Sequence, residues 1–137
     1  MKKFQFLEHT ADIKFRAFGK TLSDLYKNNA LALFEVFYDK NVKGKENYNI
    51  NVKGKDYESL LYNFLEEFLF LFDSKNFLPS KIISFKLDEK KLKITAEVSG
   101  DQIKNYNVNT HVKAVTYNEM FIKKQRSSWI SQVVLDI

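Results

Sequence analysis

Tyr57-Glu58-Ser59-Leu60-Leu61-Tyr62-Asn63-Phe64-Leu65-Glu66-Glu67-Phe68-Leu69-Phe70-Leu71-Phe72 is the stretch on which the fold turns. Tyr57, Leu60, Leu61, Phe64, Leu65, Phe68 and Phe72 recur at three- and four-residue intervals, the spacing of one helix face. The stripe is wide, and a helix apolar over so much of its circumference is buried on more than one side. Asp56 stands just before it, where a carboxylate can accept from the first free amides. The pattern fades near Asp73-Ser74. The spacing therefore predicts a central core helix that other elements pack around.

Working towards the N-terminus, Tyr48, Ile50 and Val52 alternate as in a strand, and Gly54 breaks it. A polar Lys/Asn loop precedes them over 39–47. Leu22, Leu25, Tyr26, Ala30, Leu33, Phe34 and Phe37 again keep helical spacing, with Thr21 placed to cap and Asp24 suited to the exposed amides. This first helix should run to about Tyr38. Before Gly19, residues 3–8 and 12–18 read as two short strands; in the second, Ile13, Phe15 and Ala17 alternate with Lys14 and Arg16.

Towards the C-terminus, Ile83, Phe85 and Leu87 alternate, Asp88-Glu89-Lys90 turns the chain, and Leu92, Ile94, Ala96 and Val98 alternate again before Gly100. That is a hairpin pattern. A polar loop is expected over 101–107, then strands at about 108–118, 120–125 and 128–136. Two helices among eight or so strands, the late ones joined by short turns, predict an α+β fold: largely antiparallel sheet with two amphipathic helices, in a single domain spanning 1–137.

Composition narrows the function. The 137 residues are 45% hydrophobic and 28% charged, with 13 Phe and 7 Tyr to fill one core. There is no cysteine, which removes disulfides, thiolate zinc sites and cysteine nucleophiles, and suits a cytoplasmic location. Even the fully apolar run Phe68–Phe72 is too short to span a membrane, and the start lacks a signal-peptide core. The net charge of +5 favours acidic partners. Nearly all of it is lysine, however, with Arg16 and Arg126 the two arginines. Such scattered lysines weigh against a general nucleic-acid-binding module.

Few residues offer chemistry. Asp12 stands at a strand edge, where an Asp is commonly a turn former. Asp136 ends an apolar strand, Val133-Val134-Leu135, beside the final Ile137. A carboxylate buried there needs a partner, either a basic side chain or a cation. If the chain ends meet, Asp12, Asp136 and the Ile137 carboxylate make an all-oxygen set, which suits calcium or magnesium rather than zinc. His9 and His111 are the two histidines and lack metal-ligand spacing; both read first as structural. Lys113, in Val112-Lys113-Ala114-Val115-Thr116-Tyr117, could hold a fixed charge towards a phosphate or carboxylate, or snorkel from a sheet edge. No Gly-rich phosphate loop, Gly-x-Ser-x-Gly or His-Glu-x-x-His occurs.

Three segments in order resemble the archease family. Phe6-Leu7-Glu8-His9-Thr10-Ala11-Asp12-Ile13 looks like its N-terminal signature, Leu60–Phe70 like its central helix, and Val112–Tyr117 like its late signature, with Asp136-Ile137 closing the chain. The resemblance covers essentially the full length. It implies a non-enzymatic accessory protein of the RtcB-type RNA ligase, which uses GTP and manganese to join 2′,3′-cyclic-phosphate or 3′-phosphate ends to 5′-hydroxyl ends in tRNA splicing and RNA repair. The accessory protein promotes guanylylation of that ligase and hence its multiple turnover. Contact with RNA and GTP would then be indirect, through the ligase. The resemblance also implies a divalent-cation site on Asp12, Asp136 and Ile137, with calcium the expected ion and magnesium or manganese the alternatives. Lys113 and His9 would face the ligase. A metal-dependent hydrolase or nuclease is the rival reading.

The chain departs from the family pattern at Lys14, where a Gly is usual, and at Asn118, where a His is usual. The first adds a charge near the expected ion. The second removes an imidazole. The loop at Gly100-Asp101 also looks eroded against the usual acidic pattern.

Overall fold

The computed structural model describes residues 1–8, 11–108 and 110–137. Along them run β1 (Phe4–Leu7), β2 (Ile13–Gly19), α1 (Leu22–Phe37), β3 (Glu46–Lys53), α2 (Tyr57–Lys75), β4 (Phe77–Asp88), β5 (Lys93–Gln102), a short 3-10 turn (Ile103–Asn105), β6 (Ala114–Gln125) and β7 (Ser128–Asp136). The strands make two sheets, ordered β1-β2-β7-β6 and β3-β5-β4. Every pairing is antiparallel. The α+β class is as expected.

The second helix sits where its stripe predicts. Asp56 caps it, accepting from the Ser59 amide at 2.7 Å, while Ser59 Oγ accepts from the Asp56 amide at 3.2 Å. This reciprocal pair satisfies two amides that the helix itself cannot. Leu60, Leu61, Phe64, Leu65 and Phe68 are fully buried. Phe64 meets Phe85 of β4 edge-on at 5.8 Å, Phe68 meets Phe34 of α1 at 4.9 Å, and Tyr62 stacks on Tyr117 of β6 at 4.3 Å. Thus α2 touches both sheets and the other helix, as its wide stripe requires. The helix closes on Asn76 in the left-handed region (φ 53°), with Lys75 in its last turn facing the negative helix end.

The first helix also begins as read, with Thr21 Oγ1 accepting from the Asp24 amide at 3.0 Å. It packs on β2 and β4. Buried Tyr26 donates its hydroxyl to the Tyr57 carbonyl at 2.8 Å, tying the two helices together. Burial, and behind it the negative field of Glu58, pushes that phenol far above its usual range.

The strand reading needed four corrections. Ile83 is 48% exposed, because the β4 register shifts between Ile82 and Ser84 and turns it outwards. Gly100 does not end β5, which runs on to Gln102. A Cβ at Gly100 would collide with the Leu78 carbonyl, so the glycine admits β4 at close range, beside its other register shift. The two strands expected at 108–118 and 120–125 are one, β6, which begins at Ala114. Its pairing with β7 jumps from Thr116↔Val134 to Phe121↔Gln132, so Tyr117–Met120 bulge out, with Glu119 in the left-handed region (φ 57°). The described residues therefore hold seven strands rather than eight.

Candidate functional site

The β2–β7 register settles where the two ends of the chain lie. Ile13 pairs with Leu135 and Phe15 with Val133. The ladder ends at Ile13↔Leu135, and Asp12 and Asp136 are the next residues on the two chain segments, so both lie at the same end of the sheet. Lys113 joins them on the next strand: its amide donates to the Asp136 carbonyl at 2.8 Å, just before Ala114 pairs with Asp136. The structure thus brings Asp12, Asp136, Ile137 and Lys113 to one sheet end. His9 lies outside the described residues. His111 is exposed and its ring lies 6.5 Å from Phe72.

Asp136 is exposed rather than buried, so the desolvation argument for a partner falls away there. Both carboxylates still stand at one sheet end, where like charges repel and a cation nearby offsets the repulsion. Next to this end, a concavity of about 470 Å³ is lined by Glu8, Asp12, Glu35 and Asp39, with Phe6 and Thr110. Glu35 and Asp39 come from the C-terminal end of α1, whose last turn carries no basic residue. Helix end and carboxylates therefore add negative potential of the same sign. Sequence reasoning missed Glu8, Glu35 and Asp39. The signal was present in two acids four residues apart where a helix normally ends on a base.

The acidic side chains at this end offer carboxylate oxygens, the donor type that a hard divalent cation takes. Among the described residues, no three acidic, histidine or cysteine side chains gather as a ligand cluster. A shell built on Asp12 and Asp136 therefore needs main-chain or chain-end oxygens to complete it, and Ile137, 40% exposed, is next in the chain.

The departures from the family pattern resolve structurally. Lys14 Nζ lies 3.0 Å from Glu119 Oε1, so its charge is matched by the bulge of β6. Gln132 Nε2 donates to the Glu119 carbonyl at 2.9 Å and helps hold that bulge. Asn118 is exposed on the bulge, its amide donating to Thr116 Oγ1 at 3.3 Å. Asp101 is buried. It accepts from the Gln102 amide at 2.8 Å, the Tyr106 hydroxyl at 2.8 Å and Asn105 Nδ2 at 3.2 Å.

Those bonds, the Gln102 amide foremost, hold the Asp101 carboxyl below its ordinary value of 3.8. A lowered folded value stabilises the fold above the ordinary carboxylate range, and that contribution is lost as pH falls through the lowered value. Asp101→Asn should therefore unfold more readily than the parent at neutral pH. Chemical denaturation from pH 7 down to about 3 should show the difference shrinking as the parent carboxylate protonates. A difference constant with pH would assign no ionic role to Asp101.

Comparison with known proteins bears directly on this geometry. The model of the Archease protein family (MTH1598/TM1083) matches residues 4–137. The chain belongs to the archease family. It is 40% identical to the protein archease of Methanosarcina barkeri, over 99% of this chain and 97% of that one. It is 39% identical to that of Sulfurisphaera tokodaii over the full length of both. The solution structure of Methanobacterium thermoautotrophicum protein 1598 superposes with a TM-score of 0.86 at 37% identity, covering all of both chains. A crystal structure from Thermotoga maritima, described as an archease and possible chaperone, shares the fold, with a TM-score of 0.69 at 20% identity over 96% and 94% of the two chains. No helix among the described residues of this archease is long and apolar enough to cross a membrane.

Proposed function

We propose that this archease is a non-catalytic activator of an RtcB-type RNA ligase, promoting its guanylylation and so its repeated turnover in tRNA splicing or RNA repair. The observation that carries the reading is membership of the archease family, with Asp12 and Asp136 flanking the last pair of the β2–β7 ladder at one sheet end. The sheet end presents carboxylates outwards, and the description of the Thermotoga relative as a possible chaperone is in keeping with an accessory role.

In this reading, Asp12, Asp136 and the chain-end carboxylate of Ile137 hold a divalent cation, calcium first, with magnesium or manganese as alternatives. Such an ion would supply a fixed positive charge at an otherwise acidic tip. The chain's own residues do the rest. The β2–β7 ladder brings the two acids to one end of the sheet. The Lys113 amide, bonded to the Asp136 carbonyl, holds the strand end in register. The exposed Lys113 ammonium offers a charge-assisted contact to an acidic or phosphate group on the ligase. His9 remains a second candidate for that contact.

The test is direct. Purified ligase, GTP and manganese are mixed with and without this protein, and transfer of GMP to the ligase is followed through several rounds of ligation. Stimulation at substoichiometric amounts is expected. A ligase whose guanylylation and turnover ignore the protein would remove this reading. Turnover of RNA by the protein alone, lost on chelation, would favour the hydrolase instead.

A further inference from the structure

The acidic tip has an opposite. At the far end of the first sheet lies a pocket of about 410 Å³ lined by Lys2, Lys3, Lys20, Lys27 and Lys81, with Asp24 the one acid among its walls. These lysines come from the N-terminal arm, the β2–α1 turn, α1 and β4. They look scattered in the sequence, and the fold gathers them. Lys27 is 3.6 Å from Asp24, a partly exposed pair. Lys2 Nζ donates to Gln5 Oε1 at 3.1 Å, and no described acid pairs with Lys2, Lys3, Lys20 or Lys81.

The positive surface continues beyond the pocket. Gly19 pairs with Trp129, which sets Lys20 near the end of β6 and the β6–β7 turn, where Lys123, Lys124 and Arg126 are exposed. On α1, Lys27 lines the lysine pocket and Glu35 the acidic concavity, about 12 Å apart along the helix axis. The two concavities thus carry opposite charge.

We propose that the lysine pocket and the adjoining β6–β7 turn dock the phosphodiester backbone of a single-stranded nucleic acid, independently of sequence. Three features favour this occupant. Five ammonium groups around one concavity exceed what a single phosphate needs. The charge extends as a track from the pocket to Arg126, which suits a chain of phosphates. Lysine is a point charge on a flexible stem, fitted to phosphates in varied orientation rather than to base edges. The site lies away from Asp12 and Asp136, so such a chain and a protein partner at the acidic tip could be held at once.

The test uses the purified full chain with no ligase present, so its failure leaves the ligase reading untouched. Fluorescence anisotropy of a labelled single-stranded RNA of about twenty nucleotides is measured across a salt series. Four or so phosphates engaged give a slope of about −3 in log affinity against log salt, and a DNA of the same sequence should bind within a few-fold. Lys20→Glu with Lys81→Glu, both on exposed side chains, should weaken binding at least tenfold and flatten the slope. Lys90→Glu with Lys91→Glu changes net charge equally at the exposed β4–β5 turn, and should bind nearly as the parent does. Equal losses in the two double variants would overturn the proposal, because whole-molecule charge would explain them. So would absence of RNA binding at low salt, or preference for a multiply phosphorylated peptide over the RNA.

Discussion

Phe64→Ala should melt about 10–15 °C below the parent chain. Phe64 is fully buried in α2 and meets Phe68 at 5.1 Å and Phe85 of β4 at 5.8 Å. Phe68 passes the contact on to Phe34 of α1. Removing the ring deletes its contacts with Phe68 and with Phe85 of the three-stranded sheet and leaves a void that rigid neighbours fill only in part. Buried Phe→Ala changes cost about 3–5 kcal/mol, a large share of the 5–15 kcal/mol that typically separates folded from unfolded chains. Phe70→Ala on the same helix is the internal comparison. That ring is 51% exposed, and its loss should shift the melting temperature by only a degree or two, about 0.5 kcal/mol. Similar shifts for the two variants would mean that α2 is not the buried hinge of the core.

That contrast between Phe64 and Phe70 was readable before any coordinates. The apolar stripe of α2 and the caps at Thr21 and Asp56 depend on local spacing, and local spacing is what a sequence displays. The misread positions share another cause. Ile83 and the 117–120 segment depend on register shifts against partner strands, and a partner strand cannot be seen from one strand's own alternation. Gly100 looked like a strand end because glycine usually is one. Only the approach of Leu78 and Phe77 shows that it is the residue small enough to continue.

The candidate site divides in the same way. Asp12 and Asp136 were visible as residues, and the archease resemblance suggested that they meet. That they share one sheet end rests on β7 lying between β2 and β6, a long-range pairing. Glu35 and Asp39 reach the same end only because α1 runs antiparallel to its neighbouring strand, bringing its C-terminus back to the start of β2. Lys14 reads as an intruder in the sequence, and the β6 bulge supplies Glu119 to match it. The lysine pocket was least legible of all, since four separate segments build it.

The larger functional effect is expected at the tip. Replacing Asp12 and Asp136 together by Ala removes both carboxylates from strand ends that carry little of the core. The double variant should keep the parent's fold and unfold at a similar denaturant concentration. It should lose the response to calcium: a ligand held only by the folded state raises stability by about 2.7 kcal/mol at one hundred times its dissociation constant. The parent should show such a rise in melting temperature on adding calcium, and the double variant none. If the parent shows no rise with calcium, magnesium or manganese, the carboxylates do not hold a metal.

The most direct measurement combines that variant with the ligase. Guanylylation of an RtcB-type ligase is followed with the parent archease, with the Asp12→Ala, Asp136→Ala chain, and with neither, after circular dichroism has established that both proteins are folded. The parent should accelerate GMP transfer and support repeated ligation, while the variant should leave the ligase at its unassisted rate. A folded double variant that stimulates guanylylation as well as the parent would contradict the role assigned to the paired acids.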